Sequence, residues 1–296
     1  MTRNTASLMK GMIHKILNLF GLSGFVKRIK GNLKGFKKYP NVWYFNMEGI
    51  QLKYDTFEGY SKKWFYPRYS NGRIHEPAAT KLFFEYITKD SLVIDVGGHL
   101  GYFTCIAGKL ASEGSVHVFE VDPKCINLIK KNLNVNEITN VTLNNSAVFS
   151  KNGKSKIPNL TEPTPGLSIN SDLDDGYIEV DSITLDSFVT NSRIKPDFIK
   201  IDVEGAELEV LKGMKKLLAQ ERLTILVEIH VDKLLKRFNS DYRECIAMLI
   251  QNGFVLRKIE HRATQAPLQI IDKDTKLERN TMLLCIKTNL KVKLSE

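Results

Sequence analysis

Val93-Ile94-Asp95-Val96-Gly97-Gly98-His99-Leu100-Gly101 is the stretch that decides the fold of this 296-residue chain. Val93-Ile94-Asp95 reads as the end of a buried strand, and Gly97-Gly98-x-x-Gly101 as the opening of a helix. Glycines at such a place permit a tight turn and let backbone N–H groups approach a ligand. The next apolar run ends in Phe119-Glu120-Val121-Asp122-Pro123, which sets an acid, Glu120, 19 residues past Gly101. An acid at the end of the second strand suits the two hydroxyls of a ribose. A third piece, Asp197-Phe198-Ile199-Lys200-Ile201-Asp202-Val203-Glu204-Gly205-Ala206-Glu207, closes a later strand with a run of carboxylates.

Around these pieces apolar and amphipathic segments alternate. A helix is expected over 77–87, with Pro77 in its first turn. Strands are expected at 92–96, 116–119, 141–148, 198–201, 223–230, 255–260 and 282–287, and helices at 101–111, 123–135, 206–218 and 240–251. Strands alternating with helices mean an α/β, doubly wound, mostly parallel sheet. The expected organisation is a basic segment over 1–40, a strand-and-turn cap over 41–74 rich in aromatics, and one domain over 75–296. Residues 150–180 are polar and broken by Pro158, Pro163, Pro165 and Gly166, and read either as a flap beside the site or as a plain surface loop.

The net charge of +10 is local. Residues 1–40 hold nine Lys or Arg and no acid, leaving 34 basic against 33 acidic groups elsewhere. A nearly neutral body gives no reason to expect nucleic acid as a partner. On a helical wheel Leu8, Met9, Met12, Ile13, Ile16, Leu17, Leu19 and Phe20 share one half, and Lys10, His14 and Lys15 lie in the other. Such a helix either packs on the body or lies on an anionic membrane surface, with residues 8–38 in contact. No apolar run is long enough to span a bilayer, and no signal cleavage site follows the short apolar stretch at 16–26. The scattered cysteines Cys105, Cys125, Cys245 and Cys285 read as buried free thiols of a reducing compartment. The expected location is the cytoplasm, with peripheral contact at the inner face of the membrane in the case that the helix lies on it rather than packing on the body.

The glycine turn is two-thirds of a dinucleotide fingerprint, because Val96 stands at its first glycine position. Asp95 stands where dinucleotide turns carry an apolar residue. An acid there suits the cationic amine of a methionine moiety, so the cofactor expected is S-adenosyl-L-methionine. Asp95, Gly97, Gly98, Gly101 and Glu120 would hold it.

On these residues the chain resembles the FkbM-type family of class I S-adenosylmethionine-dependent methyltransferases over roughly 75–290. The family's V-I-D-V-G-A-N-x-G, F-E-P and I-D-x-E-G-x-E patterns are similar to 93–101, 119–123 and 201–207. Gly98 replaces an alanine, His99 replaces an asparagine, and Val121-Asp122 is inserted before Pro123. Asn145-Ser146-Ala147 and Thr184-Leu185-Asp186 also stand where the family has similar residues, which adds Ser146 to the cofactor side. The resemblance implies a seven-stranded sheet with its last strand antiparallel. It also implies O-methylation of a sugar, glycolipid or related metabolite.

At the reacting end, Asp202 and Glu204 follow one strand, while Glu228 and His230 end the next and share a face by the two-residue period. Ligands of open α/β sheets bind outside the carboxyl ends of strands, so these groups can converge on an acceptor hydroxyl. His230 has the unperturbed pKa of a base near neutrality; Asp202 or Glu204 could act instead, or orient it. The same groups could hold a divalent cation, but the sequence favours a metal-free site. An NAD-dependent oxidoreductase and a non-catalytic membrane-tethered scaffold are the alternatives. The incomplete glycine fingerprint counts against the first and the carboxylate block against the second.

Overall fold

A computed structural model of the chain describes residues 41–56, 61, 74–158, 177–259 and 268–287. The amphipathic segment expected over 8–38 and the tip of the expected flap, 159–176, lie outside these residues, as do Phe57, Tyr60, Trp64, Phe65, Tyr66 and Tyr69.

The main sheet is built on strands β3 (Leu92–Val96), β4 (Ser115–Phe119), β5 (Val141–Asn144), β9 (Phe198–Ile201) and β10 (Thr224–Ile229), all parallel. Val93, Ile94 and Val96, like Phe198, Ile199 and Ile201, are essentially unexposed. Strands covered on both faces read as unbroken apolar runs. Helices α2 (Tyr102–Leu110) and α3 (Pro123–Val135) cover one face together with α1 (Pro77–Tyr86); α4 (Leu185–Ser192), α5 (Glu207–Lys212), α6 (Lys215–Leu218) and α8 (Tyr242–Gln251) cover the other. Asp122 caps α3 by accepting from the Lys124 N–H, with Pro123 in the first turn.

With β11 (Phe254–Ile259), β12 (Gln269–Ile271) and β13 (Thr281–Lys287), the spatial order is β12-β11-β13-β10-β9-β3-β4-β5. From β3 the chain winds outward through β4 and β5, then returns to β9 on the other side. This reversal is the topological switch point where ligands of such sheets bind. β13 (Thr281–Lys287) runs antiparallel between β10 and β11 (Phe254–Ile259), as the resemblance implied. The sheet has eight strands rather than seven, because Gln269–Ile271 (β12) adds an edge too short to show a pattern in sequence.

Three other expectations change in detail. The strand expected over 141–148 is two: β5 stays in the main sheet, and Ala147–Val148 (β6) turns into a small sheet of order β6-β8-β7 with Gly153–Pro158 (β7) and Tyr177–Ile183 (β8). The described ends of the 150–180 segment are therefore an antiparallel pair. The helix expected over 206–218 breaks at Gly213, where a Cβ would stand 2.1 Å from the Phe149 carbonyl oxygen. Asp186 restarts it as α6 by accepting from the Lys216 and Leu217 N–H groups. An eight-residue helix, α7 (Val231–Phe238), follows β10 directly and was not expected.

Residues 41–56 form a hairpin of β1 (Val42–Met47) and β2 (Ile50–Asp55), turned by Glu48 and Gly49, both at positive φ as this tight turn requires. Its inner residues Trp43, Phe45, Leu52 and Tyr54 are 5% exposed or less and belong to the same core as α2 and α3. Asn132 of α3 and Asn136, which caps its C-terminal end, accept from the Asp55 and Lys53 N–H groups at 2.7 Å.

All four cysteines are buried and none is in a disulfide, and burial pushes the thiols of Cys105, Cys245 and Cys285 up. Native protein at pH 8 is therefore expected to resist a thiol reagent over minutes, with all four reacting once it is denatured. Rapid labelling of any of them in the native state would contradict this packing.

Candidate active site

Gly97 and Gly98 both donate to the Phe119 carbonyl oxygen, at 2.9 and 3.2 Å, which ties the turn after β3 to the end of β4. Gly97 has φ +89, and a Cβ there would stand 1.9 Å from the backbone oxygen of Asp202. The turn after β3 and the segment after β9 therefore touch backbone to backbone. Gly101, at φ +81, donates to Gly98 and starts α2.

Glu120 braces this turn: its carboxylate accepts from the His99 N–H at 2.8 Å and the Asp122 N–H at 2.9 Å. Burial raises its pKa against those hydrogen bonds. Asn145 donates to the Glu120 and Val121 carbonyls, fastening the bend that carries Ser146, a partly buried residue, to the end of β4. Asp95 is 1% exposed. One of its oxygens accepts from Thr104 at 2.6 Å, and the other, Oδ1, makes no hydrogen bond and lies 3.7 Å from Lys200 Nζ. Burial raises the pKa of Asp95 even against that ammonium.

Lys200 was not singled out in the sequence. It pairs in register with Asp95 across β3 and β9, is 2% exposed, and lies 3.3 Å from Asp202 Oδ2. A buried ammonium persists only with partners. Here Asp202 and Asp95 hold its pKa above the ordinary value against burial. Burial opposes ionisation of Asp202, but Lys200 and then His230 outweigh it and lower its pKa to about 2.

His230 is 2% exposed. Its Nδ1 lies 2.8 Å from Glu207 Oε1, and Glu207, fully buried, also accepts from the Gly205 N–H. His230 Nε2 lies 3.6 Å from Glu204, 3.6 Å from Glu228 and 4.0 Å from Asp202. Burial favours the neutral ring, but the hydrogen bond that Glu207 accepts from Nδ1 and the surrounding carboxylates raise the pKa to about 9. The ordinary imidazole pKa expected from sequence therefore does not hold in this setting. Burial, then Asp202, pushes Glu228 up to about 8. Glu204 sits at φ +58, contacts Lys233 of α7, and accepts from Arg237 through its carbonyl at 2.8 Å. Glu76, at φ +43 before α1, acts electrostatically on Lys200 and Glu228.

The structure thus brings Asp202, Glu204, Glu228 and His230 together beside the glycine turn, and adds Lys200, Glu207 and Lys233 to them. Asp202, Glu228 and His230 each offer a ligand atom within 4.8 Å of the others, so they could hold a metal ion. Around the turn, the unsatisfied Asp95 oxygen and the acid closing β4 fit a nucleoside ligand carrying an amine.

A mostly parallel sheet with β13 reversed and acids at its switch point is the architecture that the resemblance to class I methyltransferases implied. Residues 95–256, more than half of the chain, match the model of the methyltransferase FkbM domain. The chain belongs to the FkbM methyltransferase family. It is 29% identical over 156 residues to the hexuronic acid methyltransferase AglP of Haloferax volcanii, a match covering 52% of this chain and 62% of that protein. It is 22% identical over 149 residues to methyltransferase 1 of Beauveria bassiana, covering 42% and 59%. The chain thus spans about three-fifths of the length of these relatives. Among solved structures, methyltransferase FkbM of Methylobacillus flagellatus KT aligns with a TM-score of 0.44 and 14% identity, over 67% of this chain and 44% of that one. Among the described residues no helix is long and apolar enough to cross a membrane.

Proposed function

We propose that this protein transfers the methyl group of S-adenosyl-L-methionine to a hydroxyl of a sugar, glycolipid or related metabolite. The observation that carries this is the backbone contact between the glycine turn and Asp202, which makes the cofactor side and the carboxylate–histidine group one continuous site. Membership of the family and the sugar-acid methyltransferase among its relatives support the same reading.

S-adenosylmethionine, when bound, supplies a methyl group on a sulfonium. Asp95, Gly97, Gly98, Gly101, Glu120 and Ser146 would hold it. Asp202 and His230 would orient the acceptor hydroxyl in line with that methyl group, and the Glu204 carboxylate would take up its proton. Alignment lowers the entropic part of the barrier, and proton removal contributes typically about 10²–10⁴-fold.

The test has two steps. S-adenosylhomocysteine is expected to bind in calorimetry, and Glu120→Gln to weaken binding about tenfold, because it loosens the turn through His99. NAD binding in place of S-adenosylhomocysteine would overturn the cofactor assignment. Wild-type protein with S-adenosylmethionine is then offered methyl glucuronide, methyl glucoside and a glycolipid panel, and products are read by mass spectrometry. Cofactor binding with no methylated product from any hydroxyl acceptor would favour the scaffold.

A further inference from the structure

The geometry points to a divalent-cation site formed by Asp202, Glu228 and His230, of the Mg²⁺ or Mn²⁺ class, at the acceptor end of the active site. This departs from the metal-free site favoured by the sequence.

The topology creates the donor set. Val227 pairs with Ile201 at the last register position of β9 and β10. Glu228 and Asp202 therefore come level just beyond it, and His230 lies two residues further along the same face. Donor atoms of the three lie within 4.8 Å of one another.

A second observation is independent of the number of acids. The His230 imidazole is 2% exposed, and its Nε2 is aimed among the carboxylates without a hydrogen bond to any of them. The spacings of 3.6 to 4.0 Å are too long for N–H···O bonds. They match two ligands that each lie about 2.1 Å from one ion, which stand roughly 3–4 Å apart.

The ligands are also braced as metal ligands are. Glu207 holds the opposite ring nitrogen at 2.8 Å, and Lys200 holds the far oxygen of Asp202 at 3.3 Å, leaving Oδ1 turned toward His230. A histidine ligand whose second nitrogen is bound by a carboxylate is a recurrent arrangement around metals. Two carboxylates and one imidazole, with no thiolate, select a hard or borderline cation with open positions for oxygen.

The use of such an ion rests on the transferase reading; its existence does not. An acceptor hydroxyl bound to it becomes more acidic. Its proton passes to the Glu204 carboxylate, the oxygen lone pair forms the new C–O bond, and the electrons of the breaking C–S bond return to sulfur.

The experiment uses the full chain, stripped with chelator and dialysed, and titrated with Mn²⁺ alone by electron paramagnetic resonance and by calorimetry. One Mn²⁺ per chain is expected, displaced by excess Mg²⁺. Glu228→Gln should weaken binding at least tenfold, and Glu207→Gln, which removes only the brace, about 10–100-fold. Circular dichroism and S-adenosylhomocysteine affinity establish that each variant is folded. Absence of bound Mn²⁺ at millimolar concentration overturns the site and leaves His230 as an imidazolium counter-ion. Equal binding by wild type and both variants overturns it as an adventitious ion. Failure to bind S-adenosylhomocysteine would instead strike the transferase reading, which this titration reads separately.

Discussion

Gly97→Ala is expected to abolish tight cofactor binding and to destabilise the fold. The new methyl group would be built 1.9 Å from the Asp202 carbonyl oxygen, on a residue at φ +89. Neither atom can move alone, because Gly97 N–H is bonded to Phe119 and Asp202 N–H to Val96. A non-glycine residue in such backbone costs about 1–3 kcal/mol before the clash is counted. The expected result is a loss of roughly 3 kcal/mol in urea unfolding. S-adenosylhomocysteine affinity should fall about a hundredfold, equivalent to roughly 2.7 kcal/mol. Unaltered affinity in calorimetry would show that the turn does not approach the ligand.

Lys200→Met carries the second large effect. It removes the ammonium that lies between Asp95 and Asp202 while leaving both carboxylates in place. Breaking a buried pair from one side costs about 3–5 kcal/mol. In a domain of this size that lowers Tm by roughly 10 °C. The sign with pH follows from the shifts. With Lys200 present, Asp202 is held near 2, so its contribution to stability is complete above the ordinary carboxylate pKa and is lost as pH falls toward 2. Without Lys200 that stabilisation disappears, and the two carboxylates repel. The deficit of the variant should therefore be largest near neutrality and shrink in acid, where the carboxylates are protonated. Equal deficits at pH 4 and pH 7 in denaturant titrations would contradict the electrostatic role.

Much of this site is legible in the sequence, for a physical reason. β3, β9 and β10 lie inside the sheet with helices on both faces, so their sequences are nearly continuous apolar runs whose ends are easy to find. Acids placed just after such runs must sit at the sheet's mouth. Lys200 was missed because it looks like a flaw in an apolar strand. The signal was there: a buried lysine needs acids, and Asp202 lies two residues on. Glu76 gave no local signal, since it comes from the segment ahead of α1 and meets the site only through tertiary packing. Glu207 reads as an ordinary first-turn helix acid until His230 is seen against it. β12 and α7 were too short for periodicity to reveal.

β13 has a consequence for how the molecule is made. The last described strand of the chain is not at the border of the sheet but inside it, with β10 on one side and β11 on the other. A ribosome delivers both neighbours before it delivers the strand that joins them. Until residues 281–287 emerge, β10 and β11 each present an open row of amide and carbonyl groups. The parallel half, with its cofactor turn, can assemble during synthesis, whereas the other half must wait for its centre. Loss of a few C-terminal residues from β13 would thus open a seam through the middle of the protein rather than trim its border.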